Sequence, residues 1–155
     1  MEQDKLKALE MFFNKQKVLL AYLFGSQVSS RTGPISDYDI AVLLPQKSPL
    51  AYKYQLTHQI CELLNTSQVD LVILNKAPVE LQYNVISSGK IIFAKDKYTK
   101  VEFEADTLSR YFDYLPILRK QREDIIKGGN YATRVQRSRE ALRKTEKLLK
   151  RLRSS

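Results

Sequence analysis

Apolar residues recur along this chain with two different periods, and the alternation between the periods sets out its elements. Leu6, Leu9, Phe12 and Phe13 fall at helical spacing within residues 2–15, behind Glu2 and Asp4, where acids favour a helix N-terminus. A continuous apolar run from Val18 to Phe24 then has the composition of a buried strand. Two further runs share that character, one over residues 37–44 and one over 69–74. Between them the period returns to helical, with Leu50, Tyr54, Thr57, Ile60, Cys61 and Leu64 forming one stripe over residues 49–65. Ser48 is the expected N-cap, with Pro49 at the first helical position, and Asn65-Thr66-Ser67 closes the helix. Ala77-Pro78 opens another helix with Val79, Tyr83 and Ile86 inward, ended by Gly89 as a left-handed cap. Lys90 to Ala94 reads as a short strand that extends the sheet.

From about residue 98 a long helix carries Val101, Leu108, Tyr111, Phe112, Leu115 and Leu118. Pro116 removes the hydrogen bond to the Phe112 carbonyl and is expected to kink or split it. After Gly128-Gly129, a tail helix from Tyr131 places Val135, Ser138, Leu142, Thr145, Leu149 and Leu152 along a thin seam with polar gaps. Isolated helices of that kind are marginal in water, so this one is expected to become ordered against a partner. The whole pattern predicts an α/β (α+β) fold, a small mixed sheet flanked by helices, over residues 1–128. A basic C-terminal helical extension follows over 129–155.

Composition narrows this picture. The 155 residues, 43% of them hydrophobic, are enough for one domain with a buried core. No apolar run approaches the roughly 20 residues of a membrane span, and the N-terminus does not read as a signal peptide. The single Cys61 excludes an internal disulfide and any multi-cysteine metal site. These features predict a cytoplasmic protein with no membrane contact. The net charge of +9 suggests nucleic acid until it is located. Residues 131–155 hold nine Lys and Arg against Glu140 and Glu146, so +7 belongs to the tail and +2 to the rest. The tail therefore reads as a solvated extension or a partner-docking helix and, behind these, as a nucleic-acid binder.

The candidate chemistry lies between Leu23 and Leu44. Gly25-Ser26 leaves the first strand as a turn that leads N–H groups and a hydroxyl toward a phosphate. Asp37-Tyr38-Asp39 opens the next strand, where alternation points Asp37 and Asp39 to one face and Tyr38 to the other. Two carboxylates so placed repel, and a divalent cation between them relieves the repulsion. Asp70 leads the third strand and comes beside them if that strand pairs with the second. Three carboxylates facing a phosphate-holding turn describe a two-metal site for phosphoryl or nucleotidyl transfer. An Asp-x-Asp alone is a weak signal; the ordered set, with ten residues between Ser26 and Asp37, is much stronger. His58, Cys61 and the Tyr111, Phe112, Tyr114 group read as structural.

On Gly25, Ser26, Ser36, Asp37, Asp39 and Asp70 the sequence resembles the nucleotidyltransferases of the DNA polymerase beta superfamily, and within them the minimal nucleotidyltransferases. The resemblance spans roughly residues 18–127. After Gly-Ser the family usually has x-Ala-Arg-Gly, whereas this chain has Gln27-Val28-Ser29-Ser30, with Arg31 just beyond. The resemblance implies a nucleotidyltransferase fold with Mg2+ as cofactor, held by Asp37, Asp39 and Asp70, and ATP as substrate. Asp70 would also help deprotonate the acceptor, and Gly25, Ser26 and Ser36 would serve the nucleotide. Stand-alone relatives of this size imply an antitoxin that transfers AMP to a tyrosine of a HEPN-domain ribonuclease toxin. The alternatives are an antibiotic-type small-molecule nucleotidyltransferase and a toxin-binding module with weakened catalysis.

Overall fold

Strand β1 (Leu20–Phe24) is buried along its entire length, because it lies inside the sheet and both its faces are covered. The computed structural model describes residues 3–25, 37–127 and 131–154. The sheet order is β3-β2-β1-β4. β1 runs antiparallel to both β2 (Tyr38–Leu43) and β4 (Lys90–Ala94), while β2 and β3 (Val69–Ile73) are parallel. This is the mixed sheet that the apolar runs predict, with the 90–94 strand added at its far edge.

Alternation along the strands sorts the core into two layers. Ala21, Leu23, Ile40, Val42 and Leu71 pack with Leu9 and Phe13 of helix α1 (Gln3–Asn14) and with Leu56, Ile60 and Leu64 of helix α2 (Leu50–Leu64). Leu20, Tyr22, Phe24 and Ala41 pack on the opposite face with Leu74 and with Val85 of helix α3 (Val79–Ser88). Phe103, from helix α4 (Lys97–Lys127), joins that second layer. There the Tyr22 hydroxyl donates to Glu104 Oε1 at 2.8 Å, and Lys100 pairs with the same carboxylate at 3.1 Å. Burial, then the bond to Glu104 and its negative charge, push the Tyr22 phenol far above its usual range. α4 starts at a side-chain cap: the Thr99 N–H donates to Asp96 Oδ1 at 2.6 Å, which holds that carboxyl below its usual range.

Several local expectations are corrected. Ser48 does not cap α2; its hydroxyl donates to the Pro45 carbonyl, and Pro49 stands at the cap position without a side-chain bond. The buried row of α2 is Leu56, Ile60 and Leu64, leaving Leu50 and Tyr54 more than 60% exposed and Cys61 half-buried. Three aliphatics one turn apart form a continuous apolar row, whereas Thr57 satisfies its hydroxyl on the Lys53 carbonyl at 2.8 Å. The left-handed cap occurs at Asn65 (φ 52°), and Gly89 is extended. Gly89 is needed for space, since a Cβ there would collide with the Val85 carbonyl and lie 3.1 Å from the Leu23 carbonyl. Pro116 does not split α4, which runs through it. The buried residues of α4 are Thr107 and Tyr114, while Val101 and Phe112 are exposed. His58 pairs with Glu62 one turn along, on an exposed face.

Packing divides the chain into two compact units, Met1–Leu108 and Ser109–Ser155, and the division falls within α4. In the second unit, helix α5 (Tyr131–Ser154) is held to the end of α4 by polar contacts. Gln121 Nε2 donates to the Ala141 carbonyl at 3.2 Å and to Thr145 Oγ1, which itself donates back to Ala141. Thus Thr145, a gap in the apolar seam, is a contact point. Among the described residues no helix is long and apolar enough to cross a membrane.

Candidate active site

The parallel register of β2 and β3 places Asp39 directly opposite Asp70. The antiparallel register of β1 and β2 places Phe24, and hence the start of the turn at Gly25, beside Asp39. Strand parity puts Asp39 and Asp70 on the face of α3, and Tyr38 on the opposite face, where Lys5 Nζ donates to its hydroxyl at 3.3 Å. Acids from two neighbouring strands and a glycine from a third thus meet at one end of the sheet, as the spacing predicts.

Gly25 approaches Asp39 more closely than any other residue type allows. Its φ is +72°, a conformation that side chains rarely adopt, and a Cβ there would overlap Asp39 Oδ2 and lie 3.1 Å from its Cγ. The sequence suggests a phosphate turn at this glycine but does not reveal its contact with Asp39, because that contact depends on the β1/β2 register.

The electrostatics follow from this crowding. Asp37 and Asp70 are exposed and Asp39 is half-buried. Burial pushes the Asp39 carboxyl above its usual range, and the charges of Asp70 and then Asp37 push it further. Asp70 and Asp37 thus both act on Asp39. Among the described residues no group of three acids, histidines or cysteines is gathered tightly enough to hold a metal ion by itself. The donor chemistry fits a hard divalent cation, since carboxylate oxygens are its preferred ligands and Asp39 already bears the cost of uncompensated negative charge. Ser26 and Ser36, with the altered turn at 27–30 and Arg31, lie outside the described residues.

A sheet with these strand connections, flanked by helices and carrying acids at the ends of two adjacent strands, defines a class of protein. The family model of Polymerase beta, Nucleotidyltransferase matches residues 7–98, more than half the chain, and the chain belongs to that family. Within it, the chain is similar to solved toxin–antitoxin structures of the MntA antitoxin type. One is a toxin–antitoxin complex with AMP-PNP, at TM-score 0.66 and 26% identity, covering 81% of this chain and 99% of that one. A second is a tri-AMPylated Shewanella oneidensis HEPN toxin in complex with MNT antitoxin, at TM-score 0.64 and 26% identity with the same coverage. An MntA-HepT toxin–antitoxin complex matches at TM-score 0.62 and 25% identity. No curated protein matches the chain in sequence.

Proposed function

We propose that the protein is an antitoxin nucleotidyltransferase that transfers AMP from ATP to a tyrosine hydroxyl of a cognate HEPN-domain toxin, releasing pyrophosphate in the cytoplasm. The observation that carries this reading is the meeting of Asp39, Asp70 and Gly25 at one end of the sheet, with Asp37 close enough to raise the Asp39 pKa. Similarity over nearly the full length of antitoxin chains solved with their toxins supports the partner. In this reading residues 1–128 form the transferase domain and 129–155 its basic helical extension.

Asp37, Asp39 and Asp70 would hold Mg2+, which when bound offsets charge on the triphosphate and the leaving pyrophosphate. The turn at Gly25-Ser26 would present backbone N–H groups and a hydroxyl to the outer phosphates, and Ser36 would support the entrance of β2. Asp70, the more exposed of the opposed acids, takes up the proton of the acceptor hydroxyl. Gly25 lies against Asp39 with no side chain between them, which would leave phosphates held at this turn open to the acids.

The test mixes the chain, Mg2+ and ATP labelled at the α-phosphate with the toxin encoded beside it. Label is expected on a toxin tyrosine, with release of pyrophosphate. Asp70→Asn should retain ATP binding and slow transfer about a hundredfold. Label on a small hydroxylated compound, or a tight complex with no label transferred, would replace this reading with one of its alternatives.

A further inference from the structure

Asp70 belongs to two features at once. It faces Asp39 across the β2/β3 ladder, and it also lines a groove of about 510 Å3 that follows β3 toward the loops beyond it. Leu71, Ile73, Pro49 and Leu81 contribute apolar lining. The cations of the groove are Lys47, Lys53 and Lys76, and Asp70 is its one acid among the described residues. Hydrogen bonds fix its framework. Asn75 clasps Leu44, accepting from its N–H at 2.9 Å and donating to its carbonyl at 2.8 Å. The buried Gln82 donates to the Leu74 carbonyl at 2.7 Å. β3 is the outermost strand, and among the described residues no further strand pairs with its outer edge.

We propose that this groove is the acceptor subsite, and that it receives an extended acidic segment of the partner protein. The segment adds as a strand to the open edge of β3, sets apolar side chains in the groove and acidic ones at Lys47, Lys53 and Lys76, and delivers its hydroxyl to Asp70. The assignment rests on the transferase reading. Sheet order favours it: the turn at Gly25 follows β1, the groove borders β3, and the Asp39 carboxylate on β2 lies between them. β1 and β3, on either side of β2, lie roughly 10 Å apart, so nucleotide and acceptor reach the acids from opposite sides. That is the approach an in-line displacement needs. The acceptor oxygen bonds to the α-phosphorus, the bond to the bridging oxygen of pyrophosphate breaks, and the acceptor proton leaves to Asp70. The mostly apolar lining selects a peptide over a second nucleotide, and the three lysines select an acidic one.

The test uses the full chain and two short, capped, fluorescent peptides, one with a single tyrosine among aspartates and valines, the other with the aspartates changed to lysine. Without ATP, the acidic peptide is expected to bind about tenfold or more tighter than its twin. Methylating alternate peptide amides should abolish that binding. Combined Lys47→Glu, Lys53→Glu and Lys76→Glu should reverse the preference while leaving affinity for a non-hydrolysable ATP analogue unchanged. Reversing Arg143, Lys147 and Lys150 on α5 should leave the preference intact, which separates the groove from the general basicity of the tail. An unchanged preference in the groove variant, its loss in the α5 variant, or loss of nucleotide affinity in the groove variant would each overturn the assignment. A chain that selects the acidic peptide at the groove yet transfers no AMP contradicts the transferase reading and keeps the groove. One that transfers AMP without peptide selectivity does the reverse.

Discussion

The two compact units are held together by different means. In residues 1–108 the sheet buries aliphatic and aromatic side chains on both faces, and its acids are displaced to the strand ends, where Asp39 and Asp70 stand opposite each other. In residues 109–155 the described helices are largely exposed, Tyr114 is the buried hydrophobic, and Gln121 of α4 bonds to Ala141 and Thr145 of α5. In the first unit cohesion comes from the apolar core, and like charges crowded at the strand ends mark the chemistry. In the second, polar contacts provide cohesion.

That contrast can be broken most severely at the acids. Asp37→Ala combined with Asp39→Ala should reduce AMP transfer by about a thousandfold or more. The midpoint of thermal unfolding in metal-free buffer should stay the same or rise, because mutual repulsion is removed. A double variant that unfolds, or one that still transfers AMP, would show that the acids serve the fold and not the reaction.

Gly25→Ala attacks the same site through the backbone. The left-handed φ and the overlap with Asp39 together should cost about 1–3 kcal/mol, and transfer should fall with stability. Equal stability and full activity would mean that Asp39 moves freely away from the turn. Within the sheet unit, Tyr22→Phe removes the donor to Glu104 and should cost about 1 kcal/mol by denaturant unfolding, with transfer unchanged. The smallest effect is expected in the helical unit. Thr145→Val deletes the hydroxyl that Gln121 reaches and should speed amide exchange in α5 while protection of β1 and β2 stays the same. Equal loosening of both units would contradict their independence.

What was legible in the sequence divides along the same line. The four strands and the alternation that separates Asp39 from Tyr38 follow from runs of apolar residues, and Asp70 reaches Asp39 on the condition that the sequence leaves open, the pairing of the third strand with the second. Alternation is a property of one strand, so sequence alone suffices to read it. The proximity of Gly25 to Asp39 and the Asn75 clasp on Leu44 depend on register and chain reversal, which no local pattern encodes. On the helices, a stripe chosen for hydrophobicity favoured Tyr54 over Leu56 and Val101 over Phe103. Which side of an amphipathic helix turns inward depends on what lies beneath it, and on α4 Thr107 and Tyr114 are buried while Phe112 is exposed. On α5, Thr145 looked like a defect in an apolar seam because its partner lies on another helix.

In the proposed site Asp39 is held in a charged cluster that a divalent cation would relieve. Its raised pKa means that the folded chain binds this proton more tightly than the unfolded chain. The resulting stabilisation is complete below the ordinary carboxylate value and is lost as pH rises through the folded value above it. At neutral pH the ionised Asp39 therefore destabilises the fold. The decisive measurement is thermal unfolding of the wild type and Asp39→Asn at neutral pH, first in chelator and then with Mg2+ and a non-hydrolysable ATP analogue. In chelator the variant should be the more stable, and in acid the two should converge. With Mg2+ and the analogue the order should reverse, because the wild type gains stability that the variant lacks. A variant that is less stable in chelator, or that gains as much from Mg2+ and nucleotide as the wild type, would contradict a metal-binding cluster at the ends of β2 and β3.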